Sequence, residues 1–198
     1  MLNCLDRHIR AGRGDHLAII WEGEDGSIRR LTYEELSEEV CRLAGALRGL
    51  GIGRGDIAGV FMPMMPETVV ATLALSRIGA IYVPIFSGFA ASAVATRLAD
   101  CGARLLFTAD GFTRRGNVVE MKRVADEAVA QTPGVECVIV CRRLGHKISQ
   151  TPGRDLWWDD VVRNYPTAAP IEVMDPEDPF MIIYTSGTTG RPKGTVHV

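Results

Sequence analysis

Five short, mostly apolar runs separated by segments of helical periodicity constrain this chain more than any other feature. The runs are Ile57–Met62, Ala80–Ile85, Ala103–Thr108, Val135–Cys141 and Phe180–Tyr184. A strand with one wet face alternates apolar and polar residues, whereas a strand that is apolar throughout must be covered on both sides. Between the runs the spacing predicts helices. Thr32 and Glu35 form a capping box, and Tyr33, Leu36, Val40, Leu43, Ala44 and Leu47 then recur at intervals of three and four until Gly49 and Gly51. Pro66 opens a second helix that runs to Arg77, and further helices are read over Ala91–Asp100 and Val118–Ala130. This alternation predicts an α/β fold, a mostly parallel sheet with helices on both faces. Upstream, Leu17–Trp21 and Ile28–Leu31 flank the turn-forming Glu22-Gly-Glu-Asp-Gly-Ser27, which predicts a β-hairpin. Residues 142–177 are less regular, and 145–155 reads as a surface excursion. No domain boundary precedes residue 150.

Composition narrows the classes. With 22 Lys+Arg against 24 Asp+Glu, 46% apolar and 23% charged residues in 198, the chain is neither a disordered tail nor a collagen-like rod nor a coiled coil. No basic block invites nucleic acid. The first thirteen residues hold Asp6, Arg7, Arg10 and Arg13, so they are not read as a signal peptide. The uncharged stretch Ile78–Thr96 approaches the length of a membrane span but is broken by Gly79, Pro84, Ser87, Gly88 and Ser92. It reads as two buried elements joined by a turn, and no membrane partner is expected. Five cysteines, an odd number without a CxxC pair, fit a reduced, cytoplasmic compartment. The four histidines, at 8, 16, 146 and 197, are scattered, and no metal site is expected.

The chemistry concentrates after the last apolar run. Thr185-Ser-Gly-Thr-Thr-Gly-Arg-Pro-Lys-Gly194 packs four hydroxyls, three glycines, an Arg and a Lys into ten residues. Glycines admit close approach to an anion, backbone N–H groups and hydroxyls donate to it, and a lysine adds a mobile point charge. A polyphosphate is the expected ligand. The P-loop pattern fails, because counting from Gly187 places Pro192 at the sixth position. The dinucleotide pattern fails as well, because from Gly51 and Gly53 the sixth position is Asp56.

Tyr184-Thr-Ser-Gly-Thr-Thr-Gly-Arg-Pro-Lys-Gly194 resembles the signature loop of the AMP-forming adenylating superfamily. Asn3-Cys-Leu-Asp-Arg-His8, Met62-Pro-Met-Met-Pro-Glu67, Arg77-Ile-Gly79, Ile85-Phe-Ser-Gly-Phe89, Arg154-Asp-Leu-Trp-Trp158 and Asp175-Pro-Glu-Asp-Pro179 resemble its acetyl-CoA synthetase branch. The resemblance covers nearly the whole chain. It implies a two-step ligase: a carboxylic acid attacks the α-phosphate of ATP, releasing pyrophosphate, and the thiol of coenzyme A then displaces AMP. It assigns ATP phosphate binding to Thr185, Ser186, Gly187, Thr188, Thr189, Gly190 and Lys193, and it leads to Mg²⁺ being expected with ATP, with no ligands placed. It assigns coenzyme A contacts to Phe86, Gly88 and Arg114. Asn117 stands where a second basic residue is usual, with Arg115 beside it as a substitute charge, and Ser87 replaces the usual glycine. Without the resemblance, 111–117 is a solvated basic turn. Trp157-Trp158 is either an adenine platform or, the preferred reading, packing. His8 and His16 read as structural, and His197 as bordering the ATP site.

The resemblance also says what is missing. The adenine segment, the ribose-binding acid, the hinge, the C-terminal domain with its lysine and most of the acyl pocket have no counterpart in this sequence, nor has a partner for the last strand. Residues 1–198 are therefore expected to be a partial N-terminal AMP-binding domain, nearly inactive without the remainder of the same ligase chain. No residue is assigned as certainly catalytic. A standalone nucleotide-binding or interaction module that keeps the fold without the reaction stays open. A phosphotransferase is disfavoured by the failed P-loop spacing.

Overall fold

Leu105, Phe107 and Ala109 pack into one hydrophobic core and the intervening Leu106 into another. Successive residues of a strand point to opposite faces, so this strand is covered on both sides. The computed structural model describes residues 2–185 and 192–198. Its elements run α1 (Asp6–Arg10), β1 (Leu17–Glu22), β2 (Ile28–Thr32), α2 (Tyr33–Gly49), β3 (Ile57–Val60), α3 (Pro66–Arg77), β4 (Ile81–Pro84), α4 (Ala91–Cys101), β5 (Leu105–Ala109), β6 (Phe112–Arg114), β7 (Asn117–Val119), α5 (Met121–Val129), β8 (Cys137–Cys141), β9 (Asp155–Trp157), α6 (Trp158–Val162), β10 (Met181–Thr185) and β11 (Lys193–His197). A seven-stranded sheet has the order β11-β10-β4-β3-β5-β8-β9. Every pair in it is parallel except β10–β11. The expected α/β fold with a mostly parallel, doubly covered sheet is what the chain adopts.

Each helix lies where its apolar stripe demands. α2 begins at the capping box, with Thr32 Oγ1 accepting from the Glu35 N–H at 3.2 Å and Glu35 Oε2 accepting from the Thr32 N–H at 2.8 Å. It buries Val40, Leu43, Ala44 and Leu47 with Val70, Ala74 and Leu75 of α3 over Ala58, Val60 and Phe107. α4 and α5 cover the other face, where Val94, Leu98, Met121, Ala125 and Ala128 meet Val83, Leu106, Val138 and Val140. Each such fully buried Leu or Phe contributes about 2 kcal/mol. The helix on that face sits close to β3, because a Cβ on Gly59 would lie 2.5 Å from Leu98. A larger residue there would push α4 off the sheet.

Four expectations need correction. The helix read from Val118 begins at Met121; residues 117–119 instead pair with 112–114 as the β6–β7 hairpin. Arg115 (φ 52°) and Gly116 (φ 75°) reverse the chain there, and the β-branched Val118 and Val119 suit the strand. The less regular 142–177 carries two short elements that the sequence pattern does not assign: β9 pairs with β8 at the sheet edge and α6 buries Trp158. Three residues are too few to show an alternation. What holds β9 is a charge network whose links between α5 and β9 leave no trace in sequence spacing. Lys122 Nζ lies 2.7 Å from both oxygens of Asp126 and 2.8 Å from Asp155, while Arg154 reaches Asp155 and Asp126 at 2.6 Å each. Third, the last apolar strand has its partner within the chain: β11 pairs antiparallel with β10 from Met181↔His197 to Thr185↔Lys193. Fourth, that ladder carries His197 away from the ATP-binding candidates, as set out below.

Candidate functional site

The chain passes from β3 to β4 on one side and then crosses back to β5 on the other, so the connections part at β3 and β5. In open parallel sheets a crevice forms outside the carboxyl ends of the strands at such a point, because the two loops leave in opposite directions. A cleft of about 310 Å³ lies there. Pro63, Met64 and Met65 after β3, Phe86 and Ser87 after β4, Phe112–Arg114 after β5 and Arg143 after β8 line it, closed by the 21–25 turn of the first hairpin. Trp21 Nε1 donates to the Met64 carbonyl at 2.7 Å and so fastens that hairpin over the loop after β3.

The charges in the cleft come from neighbouring loops. Arg143 Nη2 sits 3.2 Å from Asp25 Oδ2, and its guanidinium lies 4.9 Å from the Trp21 ring. Hydrogen bonds from the Ser27 hydroxyl and N–H, ahead of Arg143, hold the Asp25 carboxyl down at about 2. The Glu24 carboxylate accepts the backbone N–H groups of Arg115 at 2.9 Å and Gly116 at 2.6 Å, which fixes the tip of the basic hairpin. The buried Asp110, just past β5, accepts N–H bonds from Gly111, Arg143, Leu144, Gly145 and His146, so one carboxylate sets the course of two cleft loops.

The residues singled out for coenzyme A are partly brought together. Phe86 is exposed, and the Arg114 guanidinium lies 5.8 Å from its ring. Gly88 lies against both: a Cβ there would sit 2.6 Å from the Phe86 ring and 3.3 Å from Arg114 Nη1. These three come from two loops more than twenty residues apart. Arg115 and Asn117 lie at the hairpin tip and do not line the cleft. Asn117 Nδ2 donates to the Arg115 carbonyl at 3.1 Å.

Of the phosphate-loop residues, Thr185 ends β10 and Lys193 begins β11, directly opposite in register. Because β10 runs parallel to β4, which runs parallel to β3, and β5 runs parallel to β3, Thr185 ends at the same sheet edge as the cleft. Ser186, Gly187, Thr188, Thr189 and Gly190 lie outside the described residues. His197 pairs with Met181, at the opposite end of the ladder. Four residues of strand, about 13 Å, separate it from Thr185, so it does not border that end of the hairpin.

Trp158 packs against Phe107, with ring centroids 5.9 Å apart, and Trp157 lies under Arg142 at 3.9 Å. His8 stacks on Tyr33 at 4.6 Å. All five cysteines are free thiols. Burial pushes the Cys137 thiol up to about 11 and raises the Cys141 thiol well above its ordinary value, so these two are packing groups rather than nucleophiles. Among the described residues no group of His, Cys, Asp and Glu is arranged to hold a metal, and no helix is long and apolar enough to cross a membrane. Sequence reading missed Asp110, Glu24 and the Lys122 network. Each also depends on partners remote in sequence, Arg143–His146 for Asp110, Arg115 and Gly116 for Glu24 and Asp155 for Lys122, while the i,i+4 spacing of Lys122 and Asp126 is a local cue.

The family described as AMP-binding enzyme matches residues 5–198. An acetyl-coenzyme A synthetase of Mycolicibacterium smegmatis is 49% identical over 196 residues, which is 98% of this chain and 21% of that protein. Those of Streptomyces avermitilis and Rhodopirellula baltica are 48% and 49% identical, over 98% of this chain and 30% of each relative. The chain thus spans less than a third of the length of these relatives. An acyl-CoA synthetase crystal structure from Brucella canis superposes with a TM-score of 0.80 at 27% identity, over 98% of this chain and 32% of that one.

Proposed function

The chain belongs to the AMP-binding enzyme family, and on that premise we propose that it carries the phosphate-loop and coenzyme A-facing part of an ATP-dependent acid–CoA ligase. The reaction in this reading joins acetate or a similar short carboxylic acid to coenzyme A, with ATP giving AMP and pyrophosphate. One observation carries the proposal. Arg114, Phe86 and Gly88 converge at a cleft on the same sheet edge as the facing pair Thr185 and Lys193.

The cleft fits the phosphorylated end of coenzyme A in kind. Arg114 and Arg143 offer planar guanidinium forks, Phe86 gives a ring on which a planar base can stack, and the missing side chain at Gly88 leaves room beside both. Thr185 and Lys193 would hold the ATP phosphates, Thr185 as a hydroxyl donor and Lys193 as a flexible cation, together with Ser186, Gly187, Thr188, Thr189 and Gly190. Positioning and charge stabilisation on the leaving pyrophosphate are what such donors supply. Mg²⁺ accompanies ATP in this reading and neutralises phosphate charge, and no residue here is assigned to it. Burial and a hydrogen bond to Asp100 keep the Tyr184 phenol protonated well above its ordinary value, so it acts as an anchor for β10 and not as a base.

Calorimetric titration with coenzyme A tests the reading. Wild-type chain binds, Arg114→Ala binds about tenfold more weakly, as loss of one charge-assisted contact implies, and Asn117→Arg binds more tightly. Equal affinity in all three removes the assignment. The chain alone is expected to give no acetate-dependent ATP–pyrophosphate exchange, and robust exchange contradicts that. Tight ATP binding with no coenzyme A binding would favour the nucleotide-binding module instead.

A further inference from the structure

Arg97 is a charged residue of α4 that is only 7% exposed, on the face of the sheet opposite α2 and α3. Among the described residues its guanidinium makes one hydrogen bond, from Nη1 to the Ala93 carbonyl at 2.7 Å. The nearby carboxylate in sequence, Asp100, is taken by the Tyr184 hydroxyl at 2.6 Å. What Arg97 faces instead are two rings, Phe89 at 4.2 Å and Tyr184 at 5.6 Å. A guanidinium lacking a carboxylate is stabilised in such a place by ring faces, which attract a desolvated cation. The two rings belong to different segments. Phe89 closes the loop after β4 and packs edge-on to Phe86 at 5.5 Å, and Phe86 in turn meets Arg114. Tyr184 is the residue before Thr185. Arg114, Phe86, Phe89, Arg97 and Tyr184 therefore form one continuous stack of cations and rings, from the basic hairpin to the end of β10.

We propose that Arg97 is a positioning residue: its guanidinium, held between Phe89 and Tyr184, fixes the cleft loop against the end of β10. The ligands assigned to those two segments rest on the function proposed above, but their relative placement does not. Arg97 acts through these two rings and is not itself among the residues assigned to coenzyme A or to the ATP phosphates.

Hydrogen–deuterium exchange on the 198-residue chain tests this without any ligand, so a failure of the ligase reading leaves the result intact. Arg97→Met is expected to speed exchange about tenfold in both 86–90 and 181–185, the ratio that a cation–π contact of ordinary strength supports. Peptides from β8 and α5 keep wild-type rates. Arg97→Lys, which retains the cation, restores part of the protection. The decisive comparison is a double-mutant cycle. Phe89→Leu should speed exchange at 181–185 in the wild-type background and add nothing there in Arg97→Met. The proposal is overturned if Arg97→Met loosens only one segment, if β8 and α5 loosen equally, or if the effect of Phe89→Leu at 181–185 persists without Arg97.

Discussion

Asp110 shows how much one residue can decide. It is 3% exposed, and its two oxygens accept five backbone N–H groups that strands β5 and β8 leave unpaired as they end. Removing the acceptor leaves the buried Gly111 N–H and the half-buried Arg143 and Leu144 N–H groups without a partner, and an unsatisfied buried donor is costly. Asp110→Ala is expected to lower unfolding free energy by about 3 kcal/mol in urea titrations. The loop holding Arg143 should loosen with it, so coenzyme A affinity falls too. Gly88→Ala separates packing from binding in a different way. Its Cβ would displace the exposed Phe86 ring, a flexible group, so stability should change by under about 0.5 kcal/mol while coenzyme A affinity drops. Unchanged affinity would place Phe86 outside the binding site.

At the scale of elements, the edge strand β9 is held by Lys122, Asp126, Arg154 and Asp155 more than by apolar burial. Burial alone would push the Asp155 carboxyl up, but hydrogen bonds from Arg154, Lys122 and the Thr151 N–H outweigh it and hold it below its ordinary 3.8. A carboxyl depressed on folding stabilises the fold above its unfolded value, and that contribution is lost as pH falls through the folded one. Stability measured between pH 7 and 2 should therefore drop most steeply below about pH 4, and Asp155→Asn should flatten that drop. Lys122→Met leaves two carboxylates without their buried cation and is expected to cost about 3–5 kcal/mol in chemical denaturation. Beyond the i,i+4 spacing of Lys122 and Asp126, none of this was legible beforehand. Lys122 sits among exposed-looking charges in a run that reads as an amphipathic helix, and its partner Asp155 is 33 residues away. The capping box of α2, in contrast, was readable residue by residue, because donor and acceptor lie within three positions.

For the whole molecule, the sheet order decides which thiols meet solvent. Cys4 is exposed, Cys41 and Cys141 are buried, and burial raises the Cys101 and Cys137 thiols. A native chain mixed with a disulfide reagent at pH 8 should release one fast equivalent of five, assignable to Cys4, and all five after denaturation. Two or more fast thiols would mean that one of the faces packed by α2 or α4 opens readily.

By itself the sequence determined the period-2 and period-3.6 segments, the helix start at Thr32 and the parallel character of the sheet. Those properties depend on neighbours within a few positions, where propensity and spacing act. The tertiary structure alone decided that β11 turns back along β10, that 117–119 is a strand, that β9 closes the sheet, and that Arg114 and Phe86 share one cleft. Each of these depends on groups tens of residues apart, and their hydrogen bonds, ion pairs and ring contacts exist only once the strands have taken their order.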